Sequence, residues 1–220
     1  MDRPMLEFCK SSDPRYQDIR DRHYVPNHGT QGQQLHFIIH YKNQVVGIIS
    51  AASSVYAVKA RDDFFQIPKD KLVRQQYHLP SIVNNTVFRL EYHEKNLATK
   101  VLSKWRRVIE ELWKQLYGVS VTGFETFVVE NDTRKGALYK ADNWTMVGMT
   151  SGNAKAHGKG GMKGKSFRED TVAKIILCKK IGNALPTDKY VSSWRAVSED
   201  EKIRAKALSK IRQGLIGKMY

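Results

Sequence analysis

Only two cysteines, Cys9 and Cys178, occur in the 220 residues. That count excludes a disulfide framework and a cysteine-based zinc site. Cys178 lies inside the apolar run TVAKIILCKKI and reads as a reduced core thiol. No apolar run approaches the roughly 20 residues that cross a bilayer, so no membrane partner is expected. The opening MDRPMLEFCK has neither a basic n-region nor an apolar h-region; no signal peptide is read, and a cytoplasmic setting is expected. The Walker spacing of a phosphate-binding loop is missing, so nucleotide hydrolysis is not indicated. Acidic residues are also scarce. Asp and Glu number 22 against 37 Lys and Arg, a net charge of +15. Such an excess favours a polyanionic partner, above all double-stranded DNA, held in a salt-sensitive way.

What is present is a globular pattern. Hydrophobic residues make up 41%, enough for a buried core. DPRYQDIRDRHY reads as a short helix capped by Asp13 with Pro14 at its first position. QLHFIIHY alternates and reads as a strand, Lys42-Asn43 as a two-residue turn, and QVVGIISAAS as the returning strand. Residues 55–80 read as short helical pieces broken by Pro68 and Pro80. SIVNNTVFRLEY is a third strand with an irregularity at Asn84-Asn85. Leu97, Val101, Trp105, Val108, Ile109, Leu112 and Leu116 recur at three- and four-residue spacing and define a long helix, with Asn96 as cap and Gly118 past its end. Strands follow at VTGFETFVV, NWTMVGMT and TVAKIILCKKI, with a short helix over NDTRKGALYKA capped by Asn131 or Asp132. A C-terminal amphipathic helix at about 198–213 starts with a Ser198/Glu201 capping box and is expected to bury Ile203, Ala207, Ile211 and Leu215. A hairpin followed by a βαβ crossover predicts one α/β domain over 1–220, with a mixed, mostly antiparallel sheet flanked by helices.

Several side chains suit chemistry. Tyr139 ends the short helix before Trp144, Met146 and Gly148. A phenol stays protonated at neutral pH and can serve as a general acid, or it simply packs on the sheet. Glu125 lies within an apolar strand, so it either lines a site or bonds to Arg89. His23 is a candidate base, or with Glu130 or Asp132 a metal ligand, or a solvated helix-end histidine. His36 and His40 share one strand face with Ile38 between them and are read as a polar face rather than a metal pair. SGNAKAHGKGGMKGKSFRED, residues 151–170, interleaves glycines with Lys155, Lys159, Lys163, Lys165 and Arg168; it is expected to clamp DNA phosphates.

GALYKADNW, together with the order of elements, resembles the GNAT acyltransferase superfamily, in which the tyrosine is often the general acid for a leaving thiolate. That resemblance implies an acyl-CoA-like donor gripped between the long strand and the long helix. Here the stretch RLEYHEKNLATK holds no glycine. Arg89, Asn96, Ala98 and Thr99 are the candidate donor contacts, and the donor itself stays open.

Taken together, RHYVPNHGTQGQQLHFII, VVGIISAASSVYAVKARDDFF, IVNNTVFRLEYHEKNLATKVLS and GFETFVVENDTRKGALYKADNWTMVGMTSG resemble the Mom family of phage DNA-modification proteins, and are similar to Druantia-type defence proteins. The Mom resemblance implies conversion of adenine N6 in DNA to a carbamoylmethyl (acetamido) form that protects against restriction, in the host-cell cytoplasm if phage-encoded, with iron as a possible cofactor. It implies site roles for His23, Tyr24, Arg89, Glu130 or Asp132, and Tyr139, with Asn143 and Trp144 beside the nucleic acid. Adenine N6 lies inside the duplex stack, so its modification requires extrusion of the base, with Tyr24, Tyr139 or Trp144 available to stack on it. The alternatives are a DNA-binding defence component without transferase activity and an acyl-CoA N-acetyltransferase.

Overall fold

A computed structural model describes residues 3–25, 32–131, 135–150, 172–190 and 198–220. Its centre is a seven-stranded sheet in the order β1-β2-β3-β4-β5-β7-β6. β1 (Met5–Cys9), β2 (Gln34–Tyr41), β3 (Gln44–Ser53) and β4 (Ile82–Leu90) form an antiparallel meander. The β2–β3 turn uses Lys42 and Asn43 at φ 50° and 59°, the double left-handed geometry that matches strand twist. Between α1 (Pro14–Asp21) and β4 come α2 (Lys59–Phe65), α3 (Lys71–Val73), a π-helical turn at Arg74–His78 and α4 (Leu79–Ser81). The long α5 (Leu97–Tyr117) crosses over to β5 (Gly123–Val129), which runs parallel to β4. After α6 (Ala137–Ala141), β7 (Lys174–Lys180) pairs antiparallel with β5, and β6 (Thr145–Met149) pairs antiparallel with β7 at the sheet edge. α7 (Glu199–Gly214) follows.

α5 forms because every position of its apolar stripe meets the sheet. Leu97, Val101, Trp105, Ile109, Leu112 and Leu116 are buried against Leu35, Phe37 and Ile39 of β2 and Phe124 of β5. Each such side chain contributes about 1.5–3 kcal/mol of burial. Gly118, at φ 69°, ends the helix. On the opposite face α1 lays Tyr16 and Ile19 over Ile38, Ile48 and Val87.

Three expectations change. The opening residues form β1, whose alternation seats Leu6 and Phe8 in the core. The chain end closes this edge strand: Leu6 and Tyr220 exchange both backbone hydrogen bonds, at 3.0 and 2.9 Å. α6 begins at Gly136 (φ 70°), not at an Asn131 or Asp132 cap. α7 keeps its capping box but turns a different face inward. Ile203 and Ile211 are 64% and 39% exposed and Ala207 is exposed, while Leu215, just past the helix, is buried. The apolar spacing was too sparse to define which side of so polar a helix meets the body.

The two β2 histidines do not act together. His40 pairs with Glu7 at 2.8 Å. His36 is buried in a cluster with Tyr16 and Ser50, each 3.1 Å from its Nδ1, while those two hydroxyls are 2.7 Å apart. Burial, with Arg212 and then Arg20 nearby, lowers the His36 pKa from 6.5 to about 4. Between those values the unfolded chain binds a proton that the folded chain refuses. The contribution of neutral His36, about 3 kcal/mol at most, is therefore complete above pH 6.5 and fades as pH falls towards 4. The stability deficit of His36→Gln in urea melts should accordingly be larger at pH 7 than at pH 4.5; a deficit that does not change with pH would rule this out.

Candidate active site at the β4–β5 fork

The two parallel strands stay paired for only three residues. Ile82, Val83 and Asn84 of β4 face Gly123, Phe124 and Glu125 of β5. Beyond that point β4 continues to Leu90 along β3, and β5 continues to Val129 along β7. A bulge helps separate them. Ser50 pairs with Val87 but Ala51 with Asn85, leaving Thr86 as the extra residue. The side-chain alternation flips there: Val83 and then Phe88 pack on the α5 side, while Val87 packs on the α1 side. The result is a fork at the carboxyl ends of parallel strands, the place where open α/β sheets bind ligands.

Tyr139 sits at the vertex. α6 places its ring in the core, edge-on to Trp144 at 5.0 Å between centroids. Its hydroxyl donates to Asn85 Oδ1 at 2.6 Å. Asn85 is held in turn: its amide donates to the Ser50 carbonyl at 2.9 Å, and its own carbonyl accepts from Thr126 Oγ1 at 2.9 Å. Burial raises the Tyr139 pKa, with the Thr126 hydroxyl opposing, so the phenol is protonated at any physiological pH. The arrangement keeps a proton donor at the fork, oriented by Asn85 until another acceptor competes for it.

The other side of the fork carries charge. Glu125 accepts from Arg61 at 2.5 Å and from the Val55 amide at 2.8 Å. Arg61, wholly buried, also reaches Asp62 at 2.7 Å, and Arg74 reaches the same carboxylate at 2.8 Å. Glu125 is thus bonded to Arg61 and not to Arg89. Burial pushes its carboxyl up to about 7, against the pull of Arg61. Beside it Asn84 is buried, and its Oδ1 has no hydrogen-bond partner among the described residues. Two consecutive asparagines inside an apolar strand were the one sequence signal for both Asn84 and Asn85. Nothing in the polar stretch KARDDFF marked Arg61 as buried.

His23, Tyr24 and Arg89 come together at the rim. His23 stacks on Tyr24 at 4.5 Å, and its Nδ1 accepts from the Val25 amide at 3.2 Å. Arg89 donates to the Arg22 carbonyl at 2.6 Å and to Glu91 at 2.5 Å, fastening the end of β4 to the end of α1. It is therefore a strut at the rim rather than a contact near α5. Tyr24 is 39% exposed, yet close enough that its ionisation would raise the Tyr139 phenol further.

Other expected site residues fall elsewhere. Trp144 is buried, with its indole N–H donating to Asp142 at 2.8 Å, so it packs under Tyr139 rather than offering a face to a base. Asn143 occupies an exposed turn at φ 59°. Glu130 is exposed past the end of β5. Asp132 lies outside the described residues, as does the whole basic stretch with Lys155, Lys159, Lys163, Lys165 and Arg168. Asn96 has φ 63° and makes no side-chain cap for the first turn of α5, where Ala98 and Thr99 lie; the Leu97 amide there donates to the Glu94 carbonyl at 3.1 Å. Among the described residues no three His, Cys, Asp or Glu side chains converge on a metal position. The donor set expected for iron is not assembled there, and no step is routed through one.

A crossover helix between a four-stranded meander and a splayed parallel pair defines a GNAT-type acyltransferase fold. The chain belongs to the family described as Druantia protein DruA, whose model matches residues 3–174. It is similar in structure to Arabidopsis thaliana NAA60, solved with a bisubstrate analogue: TM-score 0.51, 11% identity, covering 82% of this chain and 98% of that one. Weaker likenesses are to the microcin C7 self-immunity acetyltransferase MccE, solved with acetyl-CoA and AMP (TM-score 0.41, 13% identity, 67% of this chain), and to a Salmonella typhimurium acetyltransferase that modifies the N-terminal serine of ribosomal protein L7/L12 (TM-score 0.42, 10% identity, 68% of this chain). The chain spans 61% and 65% of those two proteins. At these identities the likeness is one of fold. No curated protein matches the sequence. Among the described residues no helix is long and apolar enough to cross a membrane.

Proposed function

We propose that the chain is an N-acyltransferase working at the β4–β5 fork, with an acyl thioester of coenzyme A as donor and an amine as acceptor. The observation that carries this is the protonated, buried Tyr139 hydroxyl at the vertex where the two parallel strands part. Uncapped first-turn amides of α5 suit the donor's phosphates, even without glycine. Glu94, in the loop before them, is neutralised by Lys42 at 2.7 Å and accepts from Tyr41 at 2.6 Å, so it does not repel an anion there. The donor supplies an activated acyl group. Tyr139 delivers a proton to the departing thiolate, and Asn85 holds the phenol in place before and after. Glu125, Asn84 and the Tyr24 rim face the acceptor's side. Isothermal titration with acetyl-CoA tests this: saturable binding is expected, and the absence of heat or thermal stabilisation at millimolar ligand would refute it.

A second reading is favoured by the charge of +15. It takes the amine to be adenine N6 of DNA: an acyl thioester donor would leave an N6-acyl product, whereas the carbamoylmethyl form implied by the Mom resemblance needs an N–CH2 bond and so a different, alkylating donor. N6 is a poor nucleophile because its lone pair is delocalised into the ring, so a base must take its proton as the new bond forms; on this reading His23 or a carboxylate takes that role. Mass spectrometry of nucleosides from cells expressing the chain separates the readings. A modified deoxyadenosine supports the second, and unmodified DNA from cells with soluble protein returns the assignment to other amines.

A further inference from the structure

α5 has a second face that the fork does not use. On its solvent side a groove of about 950 Å³ is lined, among the described residues, by Arg3, Pro4, Thr99, Lys100, Ser103, Lys104, Arg107 and Asp142. Arg3, Lys100, Lys104 and Arg107 make no ion pair or hydrogen bond among the described residues. The one carboxylate of the lining is already committed: Asp142 receives both Nε and Nη2 of Arg106 at 2.7 Å, and the Trp144 indole N–H. The groove is thus a concentration of positive charge, opposed from outside its lining by Glu110, which acts on Arg107. Crowding shows in Lys104, whose pKa is lowered by burial and then by Arg107 and Arg3.

The spacing has a counterpart. Lys100, Lys104 and Arg107 stand at i, i+4 and i+7, which lines them up along one helix face over roughly 10 Å at 1.5 Å per residue. One strand of B-DNA carries a phosphate per roughly 3.4 Å of axis, so roughly 10 Å of axis covers about three phosphate steps. A lone pyrophosphate would leave part of the row unmatched. The α6–β6 turn that bounds the groove at Asp142 follows Tyr139 by three residues, so a backbone held here lies alongside the element that carries the phenol.

We infer that this side of α5 is a docking surface for the phosphodiester backbone of double-stranded DNA, held by Arg3, Lys100, Lys104 and Arg107. The inference rests on the reading of DNA as partner and is independent of which group is transferred. These contacts position the duplex without reading its sequence.

The test is fluorescence anisotropy of the full chain with a short labelled duplex over a salt series. The variant combines Arg3→Gln, Lys100→Gln, Lys104→Gln and Arg107→Gln. A charge-matched control combines Lys69→Gln, Lys71→Gln, Lys206→Gln and Lys210→Gln, all exposed positions elsewhere. The groove variant should bind on the order of 10- to 100-fold more weakly, and the slope of log affinity against log salt should fall by about 3 to 4, close to one per cation removed. The control should retain most of its affinity and slope. Should the fourfold variant fail to fold, single substitutions serve, each lowering the slope by about one. Equal losses in variant and control would overturn the inference in favour of diffuse charge. A wild-type chain that does not bind duplex would overturn both it and the reading of DNA as partner. A groove variant that loses acetyl-CoA binding but keeps DNA would reassign the cations to the donor. Retained acetyl-CoA titration in the groove variant keeps the transferase reading standing whatever the DNA result.

Discussion

Tyr139→Phe should lose transfer activity by about 10²- to 10⁴-fold while remaining folded, because it removes the hydroxyl that carries the proton at the fork vertex. The substitution is nearly isosteric, so the packing against Trp144 survives. Its structural cost falls on Asn85 Oδ1, which loses its donor at 2.6 Å, and on the Thr126 hydroxyl, which loses the phenol oxygen. An unsatisfied buried acceptor costs about 1–3 kcal/mol. The two effects are separable: turnover is followed by thiol release from acetyl-CoA, and stability by thermal melting. Asn85→Ala offers the complementary comparison. It leaves the phenol but removes its orientation, so a loss of turnover with donor affinity intact is expected. Equal turnover in wild type and Tyr139→Phe would remove the phenol from the chemistry and leave the fold untouched.

The second large effect concerns stability. Glu125→Leu should destabilise the protein by about 3–5 kcal/mol, because it removes the buried carboxylate opposite the wholly buried Arg61, which is left with the Val55 carbonyl and Asp62. For a chain of this size that is a fall in melting temperature of about 6–20 °C. Asp62 remains on Arg61 but is shared with Arg74, so it does not replace the lost partner. Glu125→Leu combined with Arg61→Leu should recover much of the loss, since apolar replacement of a whole buried pair is often close to neutral. If the single variant melts like wild type, the pair is not the buried ionic lock described above.

Much of the fold was legible in the residues because the strongest local signals coincide with the strongest burial. The α5 stripe, the Lys42-Asn43 turn, the Asp13 and Ser198 caps and Gly118 all stand where their chemistry demands. β1 escaped because five alternating residues at a chain start make too short a pattern to separate from a tail. α7 misled because a helix with few apolar side chains takes its orientation from tertiary contacts, not from periodicity. The site divides the same way. Tyr139 was visible through its setting between a short helix and an aromatic-led strand. Its partner Asn85 showed only as an oddity in β4, and the Arg61 pairing of Glu125 depends on α2 folding back over β5, a long-range contact without any local trace. Arg89 showed as a charged residue at a strand end, but its partner, the Arg22 carbonyl, belongs to a helix end 67 residues away.

The central claim, that the β4–β5 fork is a group-transfer site with Tyr139 as its proton donor, is most directly tested by one measurement. Thiol release from acetyl-CoA is followed with wild-type chain and with Tyr139→Phe, each offered duplex DNA and, separately, a peptide amine. We expect release by the wild type with at least one acceptor and its loss by about 10²-fold or more in Tyr139→Phe at unchanged donor affinity. Release that is indifferent to Tyr139, or none from a wild-type chain that binds the donor, would contradict it.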